Sequence, residues 1–263
     1  MDPSYTREYE TFEQQHWWYR ARREIIHSFL DEHLARRDLS AVRWLDVGCG
    51  TGVLLESYRR IGRKMGLELD GQCVARGRDK SLEIVQTAST WDLRHFGTFD
   101  VVTLCDVIEH VEHEREALDA VWESLSPGGI ALVTVPAIKS LWSSHDVINH
   151  HFRRYHLREL QQLFDASRWS VRRISYFSSL LFPLIWTARQ VKNLRQRRKK
   201  SPPTHDFAFG PRLVDGMLYR IFELEKRWLR WMDFPIGSSL ILVASKLDPT
   251  NARHLHPQRQ RAA

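Results

Sequence analysis

The sequence predicts an α/β fold: a doubly wound, seven-stranded, mostly parallel sheet with helices on both faces. Three observations carry that expectation. Short apolar runs alternate with segments of helical period from about residue 43 to residue 176, the pattern of strand–crossover–strand units. A glycine-rich turn, LDVGCGTG from Leu45 to Gly52, joins the first such run to the first helix of the core. At 263 residues the chain is long enough to bury one large core and still carry an insertion.

The elements follow in order. Tyr5 to Leu34 reads as one or two helices crowded with aromatics, among them Phe12, Trp17, Trp18 and Tyr19, so 1–40 is expected to form a helical cap. The core, 41–176 and 236–247, is expected to place strands at Arg43–Val47, Lys64–Leu69, Glu83–Thr87, Val101–Leu104, Ile130–Val135, Val171–Tyr176 and Leu240–Ser245. About sixty residues, 177–235, separate the last two. That insertion opens on the apolar run FSSLLFPLIW (Phe177 to Trp186). Arg189, Lys192, Arg195, Arg197, Arg198, Lys199 and Lys200 follow, then a Ser-Pro-Pro-Thr stretch, and then apolar residues at helical spacing from Leu213 to Met232. The tail, 248–263, is expected to be disordered.

The net charge of +7 is unevenly spread: 1–176 carries −3 and 177–263 carries +10. A nucleic-acid enzyme more often spreads positive charge over its catalytic face. That distribution argues against a nucleic-acid partner, although RNA held through its phosphates by the basic insertion is one alternative. An aromatic, apolar segment beside a basic cluster at 177–200 suits an anionic membrane surface, each basic residue contributing roughly 1 kcal/mol there. Packing on the sheet or on a twin subunit, giving a homodimer, is the other reading of the insertion. Cys49, Cys73 and Cys105 are odd in number and lack metal-type spacing, which suits reduced thiols in a cytoplasmic setting. Met1 is followed by Asp-Pro-Ser-Tyr and a charged stretch, which argues against a cleaved signal peptide, and no apolar run approaches the ~20 residues of a membrane span.

The turn reads D-x-G-x-G-x-G, with Asp46, Gly48, Gly50 and Gly52, and not the G-x-G-x-x-G that seats a pyrophosphate. Glycines at alternate positions are expected to remove side chains where a ligand lies against backbone. This string resembles motif I of the class I S-adenosylmethionine (SAM)-dependent methyltransferases. Lys64 to Leu69 ending in the acid Glu68, the stretch FDVVTLCDVIEHV from Phe99 to Val111, and LSPGG at Leu125 to Gly129 resemble later landmarks of that family in the same order.

The resemblance implies a Rossmann-like methyltransferase fold in which the last strand inserts antiparallel between the fifth and sixth. It implies SAM as cofactor, with Asp46 near its amino group, backbone contacts from Gly48, Cys49, Gly50, Gly52, Leu69 and Cys105, and Glu68 on the ribose diol, where a carboxylate's two oxygens suit vicinal hydroxyls. Ser89 is the expected adenine contact. The opening helices resemble a lid whose Arg20 or Arg23 meets the methionine carboxylate. On the acceptor side, loops after the fourth and fifth strands hold His110, His145 with Asp146, Trp142, Arg153, Arg154 and Tyr155. His110 resembles a histidine near the acceptor hydroxyl in quinone-type O-methyltransferases, and His145 is the second candidate base. Arg153 and Arg154 are candidate clamps for an acidic acceptor. No metal is expected from the histidine spacing. VPAIKSLWSSHDVINHHFRRY resembles a stretch of bacterial methyltransferases of the type 11/12 group, implying a small or lipid-linked acceptor. The expectation is a SAM-dependent O-methyltransferase acting on an amphipathic acceptor at a membrane surface, cytoplasmic and peripheral on its inner face. A catalytically silent SAM-fold scaffold is the remaining alternative.

Overall fold

A computed structural model describes residues 10–88, 91, 93–199 and 210–247. Seven strands form one sheet: β1 (Arg43–Val47), β2 (Arg63–Glu68), β3 (Ile84–Gln86), β4 (Phe99–Cys105), β5 (Leu125–Pro136), β6 (Trp169–Phe177) and β7 (Ser239–Lys246). Their spatial order is β3-β2-β1-β4-β5-β7-β6. The first five pair in parallel, whereas β7 runs antiparallel to both β5 and β6, as expected. The strand ends differ from the sequence reading by a few residues. The largest difference is at β5, which starts at Leu125 because the Leu-Ser-Pro-Gly-Gly segment is itself extended and Leu125 pairs with Phe99.

Central strands here are apolar on both faces because both are covered. Leu45, Val101, Val102, Leu104, Leu132 and Val133 are fully buried, as are Leu240 to Ala244 of β7. Strand order reverses between β1 and β4, and ligands in open α/β sheets bind beyond the carboxyl ends of the strands at such a point. Asp106, Ile138 and Ser178 each follow the C-terminal end of a strand, at β4, β5 and β6, and each has a left-handed φ near +60°. Non-glycine residues in that region carry backbone strain, which clusters at functional ends of folds.

Nine helices flank the sheet among the described residues: α1 (10–15), α2 (Trp17–Leu34), α3 (Val53–Ser57), α4 (Gly71–Asp79), α5 (Glu114–Ser124), α6 (Ser144–Ile148), α7 (Leu157–Leu163), α8 (Phe182–Lys199) and α9 (Arg212–Trp228). The cap helix α2 buries Ile25, Ile26, Phe29, Leu30 and Leu34, an i, i+4, i+5 stripe with helical period. The insertion folds as α8 and α9. α9 lies on α2: Trp17 meets Phe222 edge-on at 5.7 Å, and Glu24 accepts from both Tyr219 and Lys226. α9 is also latched to the start of α8, where the buried Glu225 carboxylate accepts from the amides of Ser179 (2.8 Å) and Leu180 (3.0 Å). α8 reaches the loop after β5, with Arg189 donating to the Leu141 carbonyl and Gln190 to that of Ser140. Among the described residues no helix is long and apolar enough to cross a membrane. The expected tail, 248–263, lies outside the described residues.

Candidate active site

The turn after β1 is built by its own hydrogen bonds. Gly48 and Cys49 amides donate to the Leu67 carbonyl of β2 (2.8 and 3.0 Å), the Gly52 amide to Cys49, and the Gly50 amide to Glu68 Oε2 (2.8 Å). These amides are spent inside the protein, so the loop is no phosphate cradle of the pyrophosphate kind. A β-carbon on Gly48 would lie 2.7 Å from Val107 Cγ2, and one on Gly52 2.5 Å from Leu82 Cδ1. Both have positive φ. At these two positions the turn and the neighbouring side chains by themselves leave no room for a side chain. Cys49 likewise turns its buried sulfur onto Gly66 of β2, leaving only its backbone to the loop.

Asp46 ends β1 fully enclosed, accepting from Thr103, which in turn accepts from the Trp44 indole. Burial raises its carboxyl to about 7, with Glu13 and Glu68 adding like charge. Glu68 spends Oε1 on the amides of Leu69 and Asp70 while Oε2 holds Gly50. Leu69 itself is exposed. Asp70 is an N-cap, accepting from Gln72 and Cys73 at the start of α4, which leaves Glu68 as the strand-end acid facing the loop. Cys105 closes β4 half-buried, its thiol raised by burial and bonded to Thr134. Ser89 lies outside the described residues.

The cap contributes differently from expectation. Arg20 points outward, its guanidinium 4.6 Å from the Tyr219 ring centroid, and Arg23 donates to the Glu13 carbonyl. Arg22 instead reaches the strand ends, 2.8 Å from Asp106 Oδ2 and donating to Thr134 Oγ1 at 3.2 Å. The signal for it was present: Arg22 precedes Ile25, Ile26 and Phe29 at i+3, i+4 and i+7, and so shares their inward face. Glu13 of α1 was also missed; it accepts from Thr51 of the glycine turn. Around the turn the protein thus sets three carboxylates, Asp46, Glu68 and Glu13. SAM carries an α-ammonium and a ribose diol, which donate hydrogen bonds, and a cationic sulfonium, so this set of carboxylate acceptors fits that cofactor.

The acceptor-side loops converge on a histidine pair. Phe152 donates its amide to the Glu109 carbonyl (2.8 Å), which brings the 149–155 segment beside the end of β4. His110 and His151 meet edge-on at 4.6 Å, and His151 Nδ1 lies 2.9 Å from Asp146 Oδ1. Packing around the His110 ring and the adjacent His151 lower its pKa to about 4, so the imidazole is neutral at physiological pH. Asp146, which sequence order pairs with His145, serves His151 and Arg154 instead. Burial alone would raise its carboxyl, but the bonds from His151 and Arg154 hold it well below the usual range. His145 is turned to Asn149, with the His151 ring 6.2 Å away.

Two candidate clamps are corrected. Arg154 is 4 % exposed and makes a two-pronged pair with Asp146 (2.8 and 3.0 Å) and a bond to the Ala137 carbonyl. Arg153 is paired with Glu114 and the Glu112 carbonyl. Tyr155 is buried and bridges backbone to Ala137. The bonds of these residues are made within the loop and to its neighbours, and Trp142 is half-exposed at the rim. Glu109, fully buried, has both carboxylate oxygens without a hydrogen-bond partner, and burial, with the neighbouring Asp106, raises its carboxyl well above the usual range. One ligand atom each of Glu109, His110 and His151 lie within 4.8 Å of one another, a grouping that histidine spacing in the sequence did not suggest because its members come from two loops.

A family model described as a methyltransferase domain matches residues 14–174. Among curated proteins, the chain is 37% identical over 93 residues to a ubiquinone biosynthesis O-methyltransferase of Cronobacter sakazakii, covering 32% of this chain and 38% of that protein. It is 35% identical over 108 residues to one of Xanthomonas oryzae, covering 38% and 45%. The match therefore spans under half the length of these relatives. Among solved structures, a SAM-dependent methyltransferase from Archaeoglobus fulgidus aligns over 90% of this chain and 99% of its own, at a TM-score of 0.52 and 17% identity. The plantazolicin methyltransferase BpumL, solved with SAH, aligns over 93% and 88%, at 0.55 and 14%. At such identity the structural matches speak to fold alone.

Proposed function

Since this chain belongs to the methyltransferase-domain family and is a SAM-dependent methyltransferase, we propose that it methylates an oxygen of a small amphipathic acceptor delivered at a membrane surface. The observation that carries the acceptor half is the His110 ring packed edge-on against His151, itself bonded to Asp146, at the mouth of β4. A neutral His110 imidazole there can accept a hydrogen bond from the acceptor's hydroxyl and so orient its oxygen, and the carboxylate behind His151 orients the pair. SAM, when bound, supplies an already activated methyl group. The protein's task is then to align the acceptor and exclude water. Asp46 and Glu68 would hold the cofactor's amino group and ribose, and Arg22, pinned on Asp106, would close the lid over β4. The relatives' role in ubiquinone biosynthesis supports an oxygen acceptor. An RNA substrate is disfavoured because Arg153 and Arg154, the basic pair in the acceptor loops, are spent on Glu114 and Asp146.

The membrane half rests on α9. Leu213 (90 % exposed), Met217, Leu224 and Trp228 line one exposed face, with Trp231 (87 %) just beyond the helix, while Phe222 and Glu225 face inward. Exposed Arg212, Arg220, Arg227 and Arg230 flank that stripe, the arrangement of an interfacial helix on anionic lipid. The expected outcome is co-sedimentation with phosphatidylglycerol vesicles at low salt, weakened by added salt and absent with neutral vesicles. No sedimentation at low salt removes the membrane half. For the acceptor half, screening hydroxylated lipids with radiolabelled SAM should yield an O-methyl product, and His110→Ala should lower its rate by roughly 10²-fold or more. A product methylated on nitrogen or carbon removes it.

A further inference from the structure

The cofactor pocket has an acid that no motif of the chain announces. α1 is fastened to the glycine turn from outside: Glu10 pairs with Lys80 (2.7 Å) and Arg76 (3.5 Å), and Lys80 donates on to the Thr51 carbonyl (3.3 Å). Arg23 of α2 donates to the Glu13 carbonyl and ties the two cap helices together at that residue. Glu13 is thereby carried inward, its Oε2 3.1 Å from Thr51 Oγ1 in the middle of the turn. We propose that Glu13 is a cofactor-positioning residue which, with Asp46, receives the α-ammonium of SAM and makes closure of α1 part of cofactor recognition.

Three points favour that role over a purely structural one. Thr51 is fully buried and belongs to the turn, so an acid bonded to it faces the space the turn borders. Burial raises both Glu13 and Asp46 to about 7, and the Glu13 charge adds to the rise at Asp46, although Arg22, Arg23 and Lys80 lie near enough to Glu13 to pull it down. A buried acid and a half-buried one that remain under-compensated are a site for a cation brought from outside. The cationic end of an amino-acid head group has the chemistry to fill it, and a protonated amine donates to both carboxylates at once.

The proposal rests on SAM being the cofactor, and the test separates the two. Titration calorimetry of the full chain would compare SAM and S-adenosylhomocysteine with the deaminated analogue of S-adenosylhomocysteine. Glu13→Gln keeps an oxygen for Thr51 and should fold, which the unfolding midpoint without ligand checks. The expected result is a loss of about tenfold or more in affinity for SAM and S-adenosylhomocysteine, with the deaminated analogue binding wild type and variant equally. Glu10→Gln, which loosens α1 without touching Glu13, should weaken SAM in the same direction by less. Equal losses on all three ligands, no loss, or tighter SAM binding by Glu13→Gln would overturn the role of Glu13. Wild-type protein that binds none of the three would overturn the cofactor reading along with it.

Discussion

On a backbone at φ +77°, a β-carbon at Gly52 would sit 2.5 Å from Leu82 Cδ1 and 2.8 Å from an Ile84 carbon. Gly52→Ala should therefore cost about 2–4 kcal/mol, the sum of a left-handed penalty and overpacking, seen as a lowered unfolding midpoint with or without SAM. A stability loss confined to the SAM-bound protein would contradict this and restore the ligand as the reason for that glycine. Asp46 and Glu13 titrate near 7 in the folded chain against about 4 in the unfolded one. The folded state thus holds extra protons between those values, so their contribution makes the unliganded protein less stable as pH rises from about 4 to 7. A cation bound between them favours the ionised forms. SAM affinity should then rise from pH 6 to 8, by up to about tenfold per pH unit for each group, and calorimetry in two buffers should detect proton release. Affinity that is flat or falls over that range would refute the arrangement. At the same scale, burial raises all three thiols, so Cys49, Cys73 and Cys105 should resist alkylation near neutral pH until the chain is unfolded.

Among elements, the loop from α6 to α7 depends on one buried ion pair. Asp146 caps α6 by accepting from the Ser143 amide (2.8 Å) and also holds His151 and Arg154. Asp146→Asn would leave Arg154 enclosed without its counter-charge, a loss of about 3–5 kcal/mol. It would also free His151 from the orientation it holds beside His110. Reduced stability together with a drop in kcat larger than any change in KM is the expected pattern. α9 shows a related dependence. Glu225 satisfies the amides of Ser179 and Leu180 in the turn that leads into α8, where the Ser178 and Ser179 hydroxyls have no hydrogen-bond partner. The consequence for function is that the insertion is bonded through α8 to the acceptor loop and through α9 to α2, which carries Arg22.

For the molecule as a whole, β7 decides whether the sheet exists. Every residue of β7 from Ser239 to Ser245 is buried, and the strand is paired on both sides, to β5 and β6. A chain ended after residue 235 would expose two long apolar edges and should fail to give a cooperative unfolding transition by circular dichroism. The same placement explains why a sixty-residue insertion is tolerated. The chain leaves the sheet after β6 and returns to begin β7 at the same end, since Phe177 pairs with Ser239, so the excursion is closed by the sheet itself. Loop-closure cost grows only slowly with length. The excursion emerges at the end of the sheet that also carries Asp46, Asp106 and His110, which places the exposed apolar face of α9 within the same rigid body as the acceptor loops.

The succession of strands and helices and the glycine turn were legible along the chain, as was the placing of Asp46, Glu68 and His110 at or just beyond strand ends, because period-two and period-3.6 patterns and short motifs are local properties that survive without a partner. What the folded molecule alone decided are the pairings across distance. Arg22 in place of Arg20, Glu13 on Thr51, Asp146 on His151 and not His145, and Arg154 buried as a strut are choices among chemically equivalent neighbours. They are made by helix phase and by which loops the sheet brings side by side, and an ion pair or hydrogen bond leaves no periodic trace in the sequence of either partner.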